Sequence, residues 1–339
     1  MGSLVSIPLL SYFALPAFTS YSTSFNLVFF AINWYILLLT HPPLHVELIG
    51  IALVRALFYL LPSLVFVAFD ALLPTVAVAL KAQGNIALPV RHNRKQQAKI
   101  AFWAMFNVVL GIALQAGLEL LLTRVLHWRS SLSLSKSLPT PYYFAKSVLL
   151  IFVSRGVLQY TIHRFILHNT HNPTTQPFAR MHITWQHSIP APYALIATYD
   201  HPVAYLIHHF LPLYIPAWTL RTHLLPFLFT LAIVSLEECM TYSGYMYLPS
   251  TVMLPGMARR VDNHFLAKGQ GNFAAFGMVD WVSGTSVGGD VIDDMKAEWD
   301  KRNGDEKVVE VVDGAQNFVD GVNDKLKKGG KRRKASGKS

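Results

Sequence analysis

The apolar positions of this chain run in long blocks. Residues 4–19 and 24–40 are almost wholly apolar, parted by a polar stretch that includes "SYSTS". Pro42 and Pro43 then break the pattern, since proline cannot continue a helix. Residues 46–81 form a longer run holding Pro62, Asp70 and Pro74. A membrane-spanning helix needs about 20 residues, so this run reads as one long kinked helix or as a tight helical hairpin. The segment 81–99 is polar, with five Lys/Arg and no acid. Residues 101–123 and 142–162 predict two further crossings, joined by a Ser-rich loop at 127–141. Two shorter runs, 203–220 and 223–236, flank Arg221 and read as a hairpin that dips in and returns. From about residue 255 the blocks end, and 257–300 is mixed. In 306–326, Val308, Val311, Val312, Ala315, Phe318, Val319, Val322 and Leu326 follow helical spacing. They predict an amphipathic helix, packed either on the chain's own polar domain or on a membrane surface, and weakened by Gly314 and Gly321.

The pattern predicts an all-α fold: a polytopic membrane helical bundle with a cytosolic, histidine-rich helical cap. Three regions are expected. Residues 1–100 form an N-terminal transmembrane region, 101–290 a membrane domain carrying the histidines, and 291–339 a cytosolic helix and polybasic tail. Composition agrees, because only 14% of the 339 residues are charged, against roughly 25% in a soluble domain. The single cysteine, Cys239, excludes an intrachain disulfide and a cysteine-built zinc site. The start lacks a basic n-region and reads as a membrane segment or internal signal anchor. Gly2 and Ser6 fit a myristoylation pattern, from which a multispanning protein gains little.

The net charge of +10 is unevenly placed, with eight Lys/Arg and no acid in "KLKKGGKRRKASGKS". Such a run suits a nuclear signal or a nucleic-acid arm. On a membrane protein it reads instead as a solvated tail near anionic headgroups, where each cation contributes about 1 kcal/mol. No nucleic-acid partner is expected. The same Lys/Arg excess puts the loop 81–99, the histidine region and the tail on the cytosolic side.

Most of the fourteen histidines lie in one third of the chain. They read "HRFILHNTH" (His163, His168, His171), "MHITWQHS" (His182, His187), "DHP" (His201), "HHF" (His208, His209) and "DNHF" (His264). Ionisable groups at membrane depth are costly and mark functional sites. Imidazole suits iron, copper, nickel and zinc. A histidine-rich, thiol-poor set on membrane helices points to oxygen-dependent iron chemistry. His208 and His209 sit in an apolar run and read as packing or channel-lining residues.

Four ordered segments carry a more specific resemblance. "HRFILH" resembles the first histidine box, H-x(3–4)-H, of the fatty acid hydroxylase/sterol desaturase superfamily. "HITWQHSIPAPYALIATYDHP" resembles its second region. "TYSGY" resembles its Asp-His-Ser-Gly-Tyr segment, and "NHFLAKGQGNFAAFGMVDWVSGT" its third box and tail. The resemblance covers about residues 150–290 and leaves the first 100 unmatched. It implies an endoplasmic-reticulum membrane enzyme with a dinuclear iron centre held by eight or more histidines. Such a centre uses O2 to hydroxylate or desaturate a lipid, sterol-like or terpenoid substrate. Electrons would come from NAD(P)H through a separate cytochrome b5-type donor.

The sequence also departs from that pattern. Gln186 precedes His187 where two histidines are expected, and Tyr242 stands in a histidine's place. The third box reads "RRVDNH", with Arg259, Arg260 and Asn263 at ligand places. Arginine cannot bind a metal, since its guanidinium stays protonated and offers no acceptor. The retained ligand candidates are His163, His168, His182, His187 and His264, with His171, His201 and Glu238 as further ones. Glu237, Asp200 and Asp262 are nearby carboxylates, suited to replace lost ligands or to orient the rings. Two readings follow. One is an iron oxidoreductase with a reduced site; the other is a metal-free relative that binds lipid or a partner protein. A transporter would show internal repeats or paired broken helices, and none is visible.

Overall fold

The computed structural model describes residues 21–89, 93–248 and 254–301. The apolar run at 4–19, Gly2, Ser6, the helix expected at 306–326 and the basic tail lie outside the described residues. Contacts divide the chain at Asp290 into two compact units. Among the described residues the first is built of helices, and no strand occurs beyond two isolated bridges. Residues before 100 pack in the same unit as the histidine region.

Among the described residues, four helices are long and apolar enough to cross a membrane. After α1 (Tyr21–Thr40) come α2 (Pro43–Leu72), the short α3 (Pro74–Leu80), α4 (Arg94–Val125) and α5 (Pro141–Leu167). α6 is Gln176–Trp185. α7 runs in three pieces, Pro202–Tyr205, the π turn Leu206–Phe210 and Leu211–Thr219. α8 (Leu224–Thr241), α9 (Leu254–Leu266) and α10 (Met278–Val282) complete the unit. The second unit shows one described helix, α11 (Val291–Lys301).

The long run at 46–81 is a single helix followed by a break. α2 absorbs Pro62 just after a π turn at Ala56–Leu60, where the widened backbone makes room for a ring without an N–H. It ends where Leu73 turns non-helical (φ −128, ψ 55) ahead of Pro74, as the residue before a proline tends to. α4 starts at a side-chain cap, with Gln96 N donating to Asn93 Oδ1. Thr140 Oγ1 caps α5 by accepting from Tyr143 N. α8 runs past the expected end at 236 and carries Glu237 and Glu238 inside its length. It can do so because each carboxylate meets an arginine, as described below.

The helices are inverted relative to a soluble bundle. α2 exposes Ile49, Leu53, Leu57 and Val65, and α4 exposes Phe102, Met105 and Val109. Their buried stripes hold Glu47, Arg55 and Asp70, and Asn107, Gln115 and Glu119. Water would penalise that outer surface, whereas hydrocarbon accepts it and leaves polar groups to pair inside. They do pair. Gln115 Nε2 donates to Glu47 Oε1 at 2.7 Å, and Lys81 Nζ lies 2.6 Å from Asp70 Oδ2. Gly111 on α4 lets the Tyr205 ring of α7 approach to ordinary contact.

Candidate metal centre

Five imidazoles meet where α5, α6 and α9 converge. One ring nitrogen from each of His163, His168, His182, His187 and His264 lies within 4.8 Å of every other. His163, His182 and His264 are buried, and His168 and His187 half-buried.

Local backbone explains how the first pair meets. Five residues of α-helix rotate by about 140°, which would point His163 and His168 to different faces. The last turn of α5, His163–Leu167, is a π turn instead. His168 N donates to His163 O at 3.0 Å, the i→i+5 bond that defines it. The wider turn returns His168 above His163, and their Nε2 atoms lie 3.2 Å apart. His182 ends α6 and His187 sits in the 3-10 turn Gln186–Ser188 that follows. His187 Nε2 is 3.3 Å from His168 Nε2.

The outer nitrogens fix the inner ones. His163 Nδ1 donates to the carbonyl of Phe273 at 2.7 Å, and His264 Nδ1 to that of Gly271 at 2.7 Å. His182 Nδ1 lies 2.6 Å from Asp200 Oδ2. A carbonyl or carboxylate oxygen only accepts, so in each neutral ring the proton sits on Nδ1 and Nε2 carries a bare lone pair. His163 Nε2 nevertheless faces His182 Nε2 at 3.2 Å. Two lone pairs at that distance repel unless a cation lies between them. Ligating histidines characteristically donate their second N–H to a carbonyl or carboxylate in this way.

The supports are themselves held. Asp200 Oδ1 accepts from His201 N, and Asn107 Nδ2 donates to the carbonyls of Thr198 and Asp200. Asp280 accepts from Phe273 N, Ala274 N and Thr285 Oγ1, which fixes the loop that offers Phe273 O. Gly269, at φ +82, passes so close to His168 that a Cβ there would fall 2.1 Å from the ring. Burial and neighbouring rings push His168 well below the usual histidine range, and His187 down to about 2. Burial likewise brings His264 down to about 4. These rings stay neutral at physiological pH, the form that binds a metal.

The other sequence candidates lie elsewhere. His171 is exposed in the loop after α5. His201 caps α7 by accepting from Val203 N, with its ring against Trp185. Glu238 pairs with Arg55 at 2.6 Å and with His209 Nδ1 at 3.2 Å, while Glu237 takes Arg155 at 3.1 Å. Neither carboxylate joins the five nitrogens. Of the carboxylates considered for orienting the rings, Asp200 does so; Asp262 is buried with Oδ1 unpartnered and touches none of them.

Three of the altered box residues bond outside the cluster. Arg260 is fully buried and donates to the carbonyls of Ala275 and Phe276. Asn263 Nδ2 donates to Val287 O. Gln186 Nε2 reaches Ile196 O at 3.4 Å. Arg260 therefore ties down the 270–287 loop and presents no charge to the rings.

The sequence reading took His208 as a packing or channel-lining residue, and the fold also sets it beside the cluster. Its ring centroid lies 4.3 Å from that of His163, and its Nε2 is buried without a hydrogen-bond partner. With His209, Arg155, Glu237, Glu238 and Tyr242 it lines a small polar cavity of about 30 Å³ that opens on His163 and His264. Its only sequence signal was a doubled histidine inside an apolar run.

Inward-paired polar residues, outward apolar helices and a histidine cluster suited to a metal define a polytopic membrane protein with a candidate metal centre. The fatty acid hydroxylase family model matches residues 148–285, a stretch that contains all five histidines and His208. The match supports membership of the fatty acid hydroxylase/sterol desaturase superfamily for this part of the chain. No solved structure matches it.

Proposed function

We propose that the protein is a membrane-bound, oxygen-dependent oxidoreductase that hydroxylates or desaturates a lipid, sterol-like or terpenoid substrate, with iron held by His163, His168, His182, His187 and His264. The observation that carries this is the approach of two bare lone pairs, His163 Nε2 and His182 Nε2, at 3.2 Å. Each is locked in that tautomer by an acceptor behind its ring. Such an arrangement is costly without a cation and is the donor set iron takes from imidazoles. When bound, iron supplies the oxidation of an unactivated C–H bond with O2. The chain positions the five rings and excludes bulk water by burial. The family match over 148–285 supports a lipid as substrate. The reducing equivalents are proposed to come from NAD(P)H through a cytochrome b5-type partner. The histidine end of α5 would then face the cytosol from the endoplasmic reticulum membrane.

The test is iron content and lipid oxidation of the full chain in lipid nanodiscs, for the wild type and for His163→Ala and His187→Ala. The wild type should hold iron and, given O2 and a reductant, convert membrane lipid to hydroxylated or unsaturated product. Each variant should lose both while its helical circular dichroism persists. A wild type that binds no metal would overturn the reading.

A further inference from the structure

We infer that this centre is built for one metal ion per chain and not for a pair. The inference rests on the metal reading above and sets the number of ions. One ion bound at about 2.1 Å separates opposite nitrogen ligands by about 4.2 Å. Two ions about 3.5–4 Å apart would spread their outermost ligands over about 7–8 Å. The five nitrogens here all lie within 4.8 Å of one another, the span of one coordination shell with a little slack.

A second ion would need a second set of donors, and beside the cluster the carboxylates of Glu237 and Glu238 and the ring of His209 are already engaged. Among the described residues no other group of three or more histidine, cysteine or carboxylate ligands comes together. The space beside the cluster is the polar cavity under His208. Its two carboxylates are held by guanidinium groups, Glu238 by Arg55 at 2.6 Å and Glu237 by Arg155 at 3.1 Å. His209 is spent on Glu238. A cation entering there would have to displace two buried arginines from their partners. Beyond the five rings, the one cavity-lining histidine nitrogen it would gain without breaking a hydrogen bond is His208 Nε2. The residues lost from the histidine boxes do not make up the difference. Arg260, Asn263 and Gln186 all bond to backbone carbonyls outside the cluster.

The distinction is read from the metal itself. Full-length protein in nanodiscs is stripped with chelator, titrated with Co(II), desalted and assayed by elemental analysis and electron paramagnetic resonance. The expected result is about one Co(II) per chain, with a high-spin signal whose integrated intensity accounts for all the bound metal. X-ray absorption should show a nitrogen-rich shell and no metal scatterer near the distance of a paired site. Two Co(II) per chain, with intensity lost to magnetic coupling, would overturn the single-ion inference while leaving the metal reading intact. No Co(II) retained, with no iron in protein as isolated, would overturn the metal reading and this inference with it. His208→Ala is expected to keep one ion per chain; a drop from two ions to one in that variant would again point to a pair.

Discussion

His163 and His168 are five residues apart, yet their Nε2 atoms lie 3.2 Å from each other because α5 ends in a π turn. The i→i+5 bond between the same two residues makes the backbone register part of the site. π turns recur at functional sites because they re-aim side chains without ending a helix. α7 uses the same device at Leu206–Phe210, the turn that carries His208 and His209.

Asp200→Asn tests the support behind His182. The carboxylate fixes the ring's tautomer through Nδ1 and adds a negative charge behind it. Loss of such a partner costs about 10–100-fold in metal affinity. Competition with a chelator of known affinity should show that decrease, with the number of ions bound at saturation unchanged.

Gly269→Ala should damage the site without touching a ligand. The new Cβ would collide with the His168 ring at 2.1 Å, in a backbone region that disfavours L side chains. Metal affinity and thermal stability should both fall. Gly156→Ala on α5 is the control, since its Cβ would meet nothing within 4 Å; it should behave as wild type.

The pair Arg155–Glu237 lies inside the bundle at 3.1 Å. Removing one member of a buried ion pair strands the other charge and typically costs about 3–5 kcal/mol, while replacing both by apolar residues is far less harmful. Arg155→Met and Glu237→Leu alone should each lower unfolding resistance in detergent. The double variant should recover most of the loss; a double variant worse than either single change would contradict the pairing.

Sidedness is checked by single cysteines at Asn93 and at Ser336 in a Cys239→Ala background. Native Cys239 is fully buried, so its replacement removes only a silent thiol. Both probes should react with a membrane-impermeant reagent from the same, cytosolic side. Labelling from opposite sides would overturn the shared cytosolic placement of the 81–99 loop and the tail.

Much of the helical plan was legible because lipid-facing apolar runs are long and interrupted by prolines, as at Pro42–Pro43 and Leu73–Pro74. The five-histidine set came from the resemblance to the family's histidine boxes, and the fold brings those five rings together. The π turn was not, since hydrophobic periodicity carries no record of which carbonyl an amide chooses. Glu238 suited a metal until the fold brought Arg55 to it from 183 residues away. The arginine of "RRVDNH" looked like a charge aimed at the metal, but which way a helix turns its side chains depends on neighbours, and Arg260 found the carbonyls of 275 and 276. His208 was read as packing or channel-lining because its flanking residues are apolar, and nothing in the sequence showed that its own ring faces His163.

The rings of His163 and His264 lean on the main-chain oxygens of Phe273 and Gly271, and not on any side chain of that loop. What those rings demand is therefore a path of the backbone, not a spelling. Side chains along the loop are free to drift in evolution wherever the path survives, and the few that set the path, Asp280 and Asn272 among them, are where drift should stop. A comparison by residue identity would score such a loop as decayed while the scaffold it supplies to the imidazoles stayed whole.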